Sequence, residues 1–231
     1  MDPEFFNKIQ QALAAERLDA YGPAHDPKTL ICTYLWNIAV CESLYSPLQM
    51  AEIGLRNAIN RVLTAKCGDS WFDQLPLCQS QEEALTAAQI YLAKHGKNRT
   101  PHRLISELSF GFWTSFFNKE HESTGLCHSI IKNAFPRASK YDRNSKLMHM
   151  RWTQIRELRN RVFHHEKITS APDLKQQHQC ILEVIRWMSP ELAELESKLD
   201  RFTPVYSSGL QPWRDKVTLF WPNQGKEFNQ P

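Results

Sequence analysis

Apolar side chains recur every three or four positions along most of this chain, and nowhere do they alternate with polar ones for long enough to build a sheet. That pattern restricts the fold to helices. A first helix reads over residues 6–21, with Ile9, Ala12 and Leu13 on one stripe and Gly22-Pro23 stopping it. A second starts near Pro27, repeats Leu30, Tyr34, Ile38 and Cys41, and ends at Tyr45. Ser46-Pro47 then reads as the N-cap and first helical residue of a third, which carries Leu48, Ile53, Leu55, Ile59 and Val62 to about Lys66.

Residues 67–77 read as an irregular connection with Trp71 and Phe72 as core plugs. A Ser80/Glu83 capping box and a Gly96 stop bound a fourth helix over residues 80–95. Thr100-Pro101 opens a segment dense in aromatics, from Phe110 to Phe117, which marks the centre of the core and reads as packing in preference to a cofactor pocket. Further helices are expected over 125–135, 145–163, 172–188 and 190–202. The helix over 145–163 contains Leu147, Met150, Ile155, Leu158 and Val162. Residues 203–231 hold four of the 13 prolines and little periodicity, so they read as an extended arm or partly disordered tail. The expected organisation is one all-α domain over residues 1–202 followed by that arm.

With 42% hydrophobic and 23% charged residues among 231, the chain belongs with ordinary globular proteins. A formal charge of +3 is too small to imply nucleic-acid binding by itself, so any such site must come from local clustering. Residues 137–167 supply it, with nine lysines and arginines against three acids. A solvated helix face accounts for the same count. Six cysteines show neither a CxxC pair nor Cys/His zinc spacing, so reduced thiols and no bound metal or cofactor are expected. No basic-then-apolar leader opens the sequence and no apolar run reaches the length of a membrane span, which points to a cytoplasmic protein without membrane attachment. Residues 1–5 have the look of a cloning scar and carry no argument.

The segment Leu158-Arg-Asn-Arg-Val-Phe-His-His-Glu166 concentrates guanidinium, amide and imidazole groups at the end of an amphipathic helix. Those groups suit phosphodiester chemistry. RNA self-cleavage needs a base for the 2'-hydroxyl proton, an acid for the leaving 5'-oxygen, and donors for charge developing on the phosphoryl oxygens. Histidine serves either proton transfer near neutral pH, and the arginine fork holds two phosphate oxygens, so no metal is required. In an unbroken helix Asn160 and His164 share a face while Arg159 points roughly 100° away. Three arrangements reconcile them: fraying near Phe163, a swing of the Arg159 side chain, or a second protomer across a two-fold axis, the last being favoured. The spacing alone is weak, since Arg143 and His149 repeat it without evident purpose. Cations at a helix C-terminus are also favoured by about 0.3 to 1 kcal/mol, so a helix terminator explains the same residues.

Three separated segments resemble one family. Arg159-Asn-Arg-Val-Phe-His164-His165-Glu166 is similar to the RNxxxH-type motif of HEPN ribonucleases, and in particular of the Abi-like (abortive infection) family. Glu52-Ile-Gly-Leu-Arg56-Asn57 resembles that family's Leu-Arg-Asn helix, and Leu108-Ser-Phe-Gly-Phe-Trp113 its Ser-Phe-Gly-aromatic-Trp segment. The likeness covers about residues 27–170. It implies a HEPN-like helical bundle with additional helices, a homodimer, metal-independent RNA endonuclease activity, and a role in phage defence or a toxin-antitoxin pair whose antitoxin is a protein or a small RNA. Carried over by position, Arg159 holds the scissile phosphate, His164 acts as general acid or base, and Asn160 orients one of them. Glu52, Arg56, His165 and Glu166 are supporting candidates, and Arg151, Arg156, Arg161 and Lys167 candidate RNA contacts. The alternative is a HEPN module that binds RNA or regulates without cutting.

Overall fold

Residues 3–221 are described by the structure, a computed structural model. Helices follow one another along that span, and no strand occurs among the described residues. In chain order they are α1 (Pro3–Leu13), α2 (Ala15–Asp19), α3 (Pro27–Ser43), α4 (Tyr45–Cys67), α5 (Gln79–Lys94), α6 (Pro101–Glu107), α7 (Phe110–Thr114), α8 (Leu126–Ala134), α9 (Ser145–Phe163), α10 (Leu174–Met188), α11 (Pro190–Ser197), α12 (Phe202–Ser208) and α13 (Gln211–Phe220). The protein is all-α. No helix among the described residues is long and apolar enough to cross a membrane.

Two compact units divide the chain. The first takes the residues through Tyr45, then Arg161–Lys175, then those from Asp200 onward; the second takes Ser46–Asn160 and Gln176–Leu199.

In the first unit α3 is contacted by α2, α12 and α13. Its core joins Phe6, Leu18, Leu30 and Ile31 to Val217 and Trp221. The single helix expected over residues 6–21 is broken at Ala14, which has φ 65°. At about 100° per residue Leu18 would lie roughly 120° from Phe6 on a straight helix, and the break returns it to the same core. Residues 203–220 are not an extended arm: α12 and α13 occupy them, and Val217 and Trp221 are buried. Pro204 and Pro212, which read as breakers, sit in first turns, where the missing N–H costs nothing. Phe228, the last aromatic of the expected arm, lies outside the described residues.

The core of the second unit is aromatic. Trp71 meets Phe112, Trp113 and Phe116, while Trp152 stacks on Phe117 and meets Phe110 and Phe135. Edge-to-face and offset geometries of this kind fill space without opposing ring faces. Along α9 the buried stripe within this unit is Met148, Trp152, Ile155 and Leu158; Met150, assigned to it from sequence, is exposed. The cap of α5 also differs from expectation. Cys78 is its N-cap, and the Cys78 N–H donates to Gln81 Oε1 at 3.1 Å. Gln81 is drawn inward because the same oxygen lies 2.8 Å from buried His121 Nε2. Ser46 does not cap α4, which begins one residue earlier at Tyr45; its hydroxyl donates to Glu196 at 3.1 Å. Gly54 allows a close approach: a Cβ there would lie 3.0 Å from Met188 Cε.

Candidate functional site

Helix α9 begins on an Asn144 cap, whose Oδ1 accepts from the Leu147 N–H at 3.0 Å. Burial of Trp152, Ile155 and Leu158 then fixes its rotation, leaving Arg159 half-buried beside the core face and Asn160 exposed. Burial of Ala51 and Leu55 does the same for α4 and leaves Glu52 at the edge. Arg159 Nε donates to Glu52 Oε2 at 3.2 Å, and Arg159 Nη1 to Asn160 Oδ1 at 3.4 Å. The arginine therefore swings across to its neighbour on the helix and is tied at its base by a carboxylate.

These three residues line a cleft of about 480 Å³ in the second unit, together with Ser109, Gly111 and Arg156. The Ser109 hydroxyl accepts from the Phe112 N–H at 3.4 Å, and a Cβ on Gly111 would approach Arg156 Nη1 to 4.0 Å. Arg156 Nη1 donates to the neutral hydroxyl of Thr114 at 3.4 Å, so a second guanidinium faces the cleft with a partner that does not cancel its charge. Arg56, one turn beyond Glu52, does not line it.

Asn160 is the last residue of the second unit on α9, and Arg161 the first of the other. In that first unit α9 ends at Phe163 in a Schellman turn. The His165 N–H donates to Val162 O at 3.1 Å and the Glu166 N–H to Arg161 O at 2.9 Å. His165 occupies the left-handed position with φ 59°, a place usually taken by glycine, and both His164 and His165 are exposed. A side chain held there costs on the order of 1 to 3 kcal/mol, which neighbouring contacts must offset. Several do. Arg17 Nη2 donates to His165 O at 2.7 Å, Arg161 reaches Glu166 at 3.4 Å and Lys167 O at 2.7 Å, and Lys167 Nζ donates to Ala20 O at 2.7 Å.

Asn37 completes this anchoring, and sequence reading passed over it. It is buried, its Nδ2 donates to Glu166 O at 3.1 Å, and its Oδ1 accepts from the Ile168 and Thr169 N–H groups at 2.8 and 3.2 Å. An amide inside the apolar run Leu35-Trp36-Asn37-Ile38 was the available signal, because a polar group on a core face needs partners. The candidate RNA contacts divide unevenly. Arg161 and Lys167 are engaged as described, and Arg151 pairs with Glu183 at 2.6 Å and lies 4.7 Å over Trp187, whereas Arg156 faces the cleft.

Among the described residues no group of three or more His, Cys, Asp or Glu is arranged to hold a metal ion. No family model, curated protein or solved structure matches the chain.

Proposed function

We propose that this chain is a HEPN-type RNA endonuclease of the Abi-like kind, acting in the cytoplasm in phage defence or as the toxin of a toxin-antitoxin pair. What supports the reading most is that the three segments resembling that family, far apart in sequence, contribute Glu52, Ser109 with Gly111, and Arg159 with Asn160 to one cleft. Convergence of this kind is not required by helical packing, which only needs their apolar neighbours to be buried.

Arg159 and Arg156 hold the non-bridging oxygens of the scissile phosphate, with Glu52 fixing the Arg159 fork. Asn160 orients Arg159 or the bound phosphate. His164 moves a proton: it takes the 2'-hydroxyl hydrogen or delivers one to the departing 5'-oxygen. The 2'-oxygen forms a bond to phosphorus as the bond to the 5'-oxygen breaks, giving a 2',3'-cyclic phosphate and a 5'-hydroxyl without a metal or a water. A homodimer with two His164 side chains provides both a base and an acid. Incubation with RNA in EDTA tests the chemistry: fragments ending in a cyclic phosphate, and none from a 2'-O-methylated substrate, are expected. Fragments with a 3'-hydroxyl would refute it.

A second reading, a non-catalytic HEPN module that binds RNA or regulates, draws support from the Schellman turn, because His165 and Glu166 there already serve to end a helix. Under it His164→Ala leaves RNA affinity and biological effect intact.

A further inference from the structure

A second cavity, of about 700 Å³, opens within the first unit and is absent from the chemistry above. Its size lies within the range of small-ligand sites. Ile38, Tyr45 and Phe163 at its mouth are 46%, 52% and 43% exposed, an unusual concentration of apolar surface around one opening. Tyr45 and Phe163 have ring centroids 6.1 Å apart at 42°, and Tyr34 meets Tyr21 edge-on at 5.0 Å.

The polar groups are few and specific. Tyr21 lines the cavity and is 5% exposed; its hydroxyl accepts from Asn37 Nδ2 at 3.3 Å, which leaves the phenolic proton to donate. Burial pushes its ionisation up, so that proton is retained near neutral pH. The Cys41 thiol, raised by burial to about 11, is a weak donor beside it. Glu42 is exposed and paired with Arg201 at 3.0 Å, so its carboxylate belongs to the rim, where Arg17 brings a cation and His165 a hydrogen-bonding ring. Flat aromatic walls, donors inside, and an arginine at the edge match a planar heterocycle carrying a phosphate. A lipid tail would leave the buried Tyr21 proton unpaired, and an acidic peptide would gain nothing from the aromatic walls.

We propose that this cavity receives an unpaired nucleobase of the RNA, stacked on Tyr45 or Phe163 and hydrogen-bonded by Tyr21, with its phosphate toward Arg17. Because Phe163 and His165 flank His164 in sequence, the seated base belongs to a nucleotide adjoining the cleaved one. That placement rests on the nuclease reading; occupancy by a base does not. The recognition is of single-stranded RNA, since bases in a helix cannot be splayed into a pocket without unpairing.

The test measures binding of 2'-O-methylated, uncleavable single-stranded oligonucleotides to the full chain by fluorescence anisotropy. One series carries bases and a matched series is abasic. The expected result is affinity about tenfold or more weaker for the abasic series, as loss of one stacked base implies. Ile38→Trp, which fills the cavity from an exposed position, should abolish that difference while circular dichroism stays unchanged, and Tyr45→Ala should reduce it. Equal affinity for both series, no binding of either, or a difference that survives Ile38→Trp overturns the proposal. Cleavage of the unmethylated oligonucleotide in EDTA is scored separately, so a failed pocket and a failed nuclease reading give different results.

Discussion

His121 is 2% exposed in the second unit, with Phe116 5.2 Å from its ring and Gln81 Oε1 accepting at 2.8 Å. Burial lowers its pKa below the ordinary 6.5, against the smaller upward pull of Glu120. The neutral imidazole is thus the form the fold favours. Stability from this group is complete above the unfolded value and is lost as pH falls through it toward the folded value, where the unfolded chain alone takes up the proton. Urea unfolding at pH 7.5 and 5.5 should show acid-side weakening that shrinks in His121→Phe. An unchanged pH dependence in that variant would assign the effect elsewhere. The left-handed backbone of His165 is open to test by substitution as well. Glycine accepts its φ of 59° readily and valine does not, so His165→Gly should be at least as stable as wild type while His165→Val loses about 1 kcal/mol or more. Equal unfolding midpoints for the two variants would contradict the left-handed turn.

Among elements, α9 and α5 show how legible this sequence is. The span of α9 follows from periodicity and agrees with the expected 145–163 because Asn144 and the turn after Phe163 punctuate both ends. Its buried stripe was less legible: Met148 and Met150 are equivalent by hydropathy, and only the Trp152 contacts distinguish the face. The cap of α5 was misplaced by two residues since Ser80/Glu83 and Cys78/Gln81 both fit a capping box, and the tertiary partner His121 decides between them. For the site, residue types together with the family resemblance pointed to Arg159, Asn160 and His164, and the resemblance alone to Glu52 on α4 and to the segment around α7, because spacing within one helix says nothing of what packs against it. Within the second unit one link between α4 and α9 is the Glu52–Arg159 pair, whose side chains are about 30% exposed. Solvent screening limits such a pair to roughly 0.5 kcal/mol of stability. Glu52→Gln should therefore barely shift thermal unfolding yet lower kcat at least tenfold, as Arg159 loses its orientation. A comparable loss in both would make Glu52 a fold residue only.

For the whole molecule, the sequence established the all-helical class but not the helical character of the chain after residue 202. Prolines dominate local reading there, while burial of Phe202, Val217 and Trp221 dominates the structure. Ending the chain at Gly209 removes α13 and uncovers its contacts with α3. Loss of the buried Val217 and Trp221 alone should cost about 4 kcal/mol or more, read as a lower urea midpoint. A midpoint equal to that of the full chain would restore the picture of a detached arm.

The proposed cleavage depends on His164, and the most direct measurement compares wild type with His164→Ala on total bacterial RNA in EDTA, with folding matched by circular dichroism. His164 is exposed at a helix end, so its loss should leave the fold intact. Fragments from the wild type and intact RNA with the variant are the expected result; equal fragmentation by both, or none by either, would contradict the proposed role of His164.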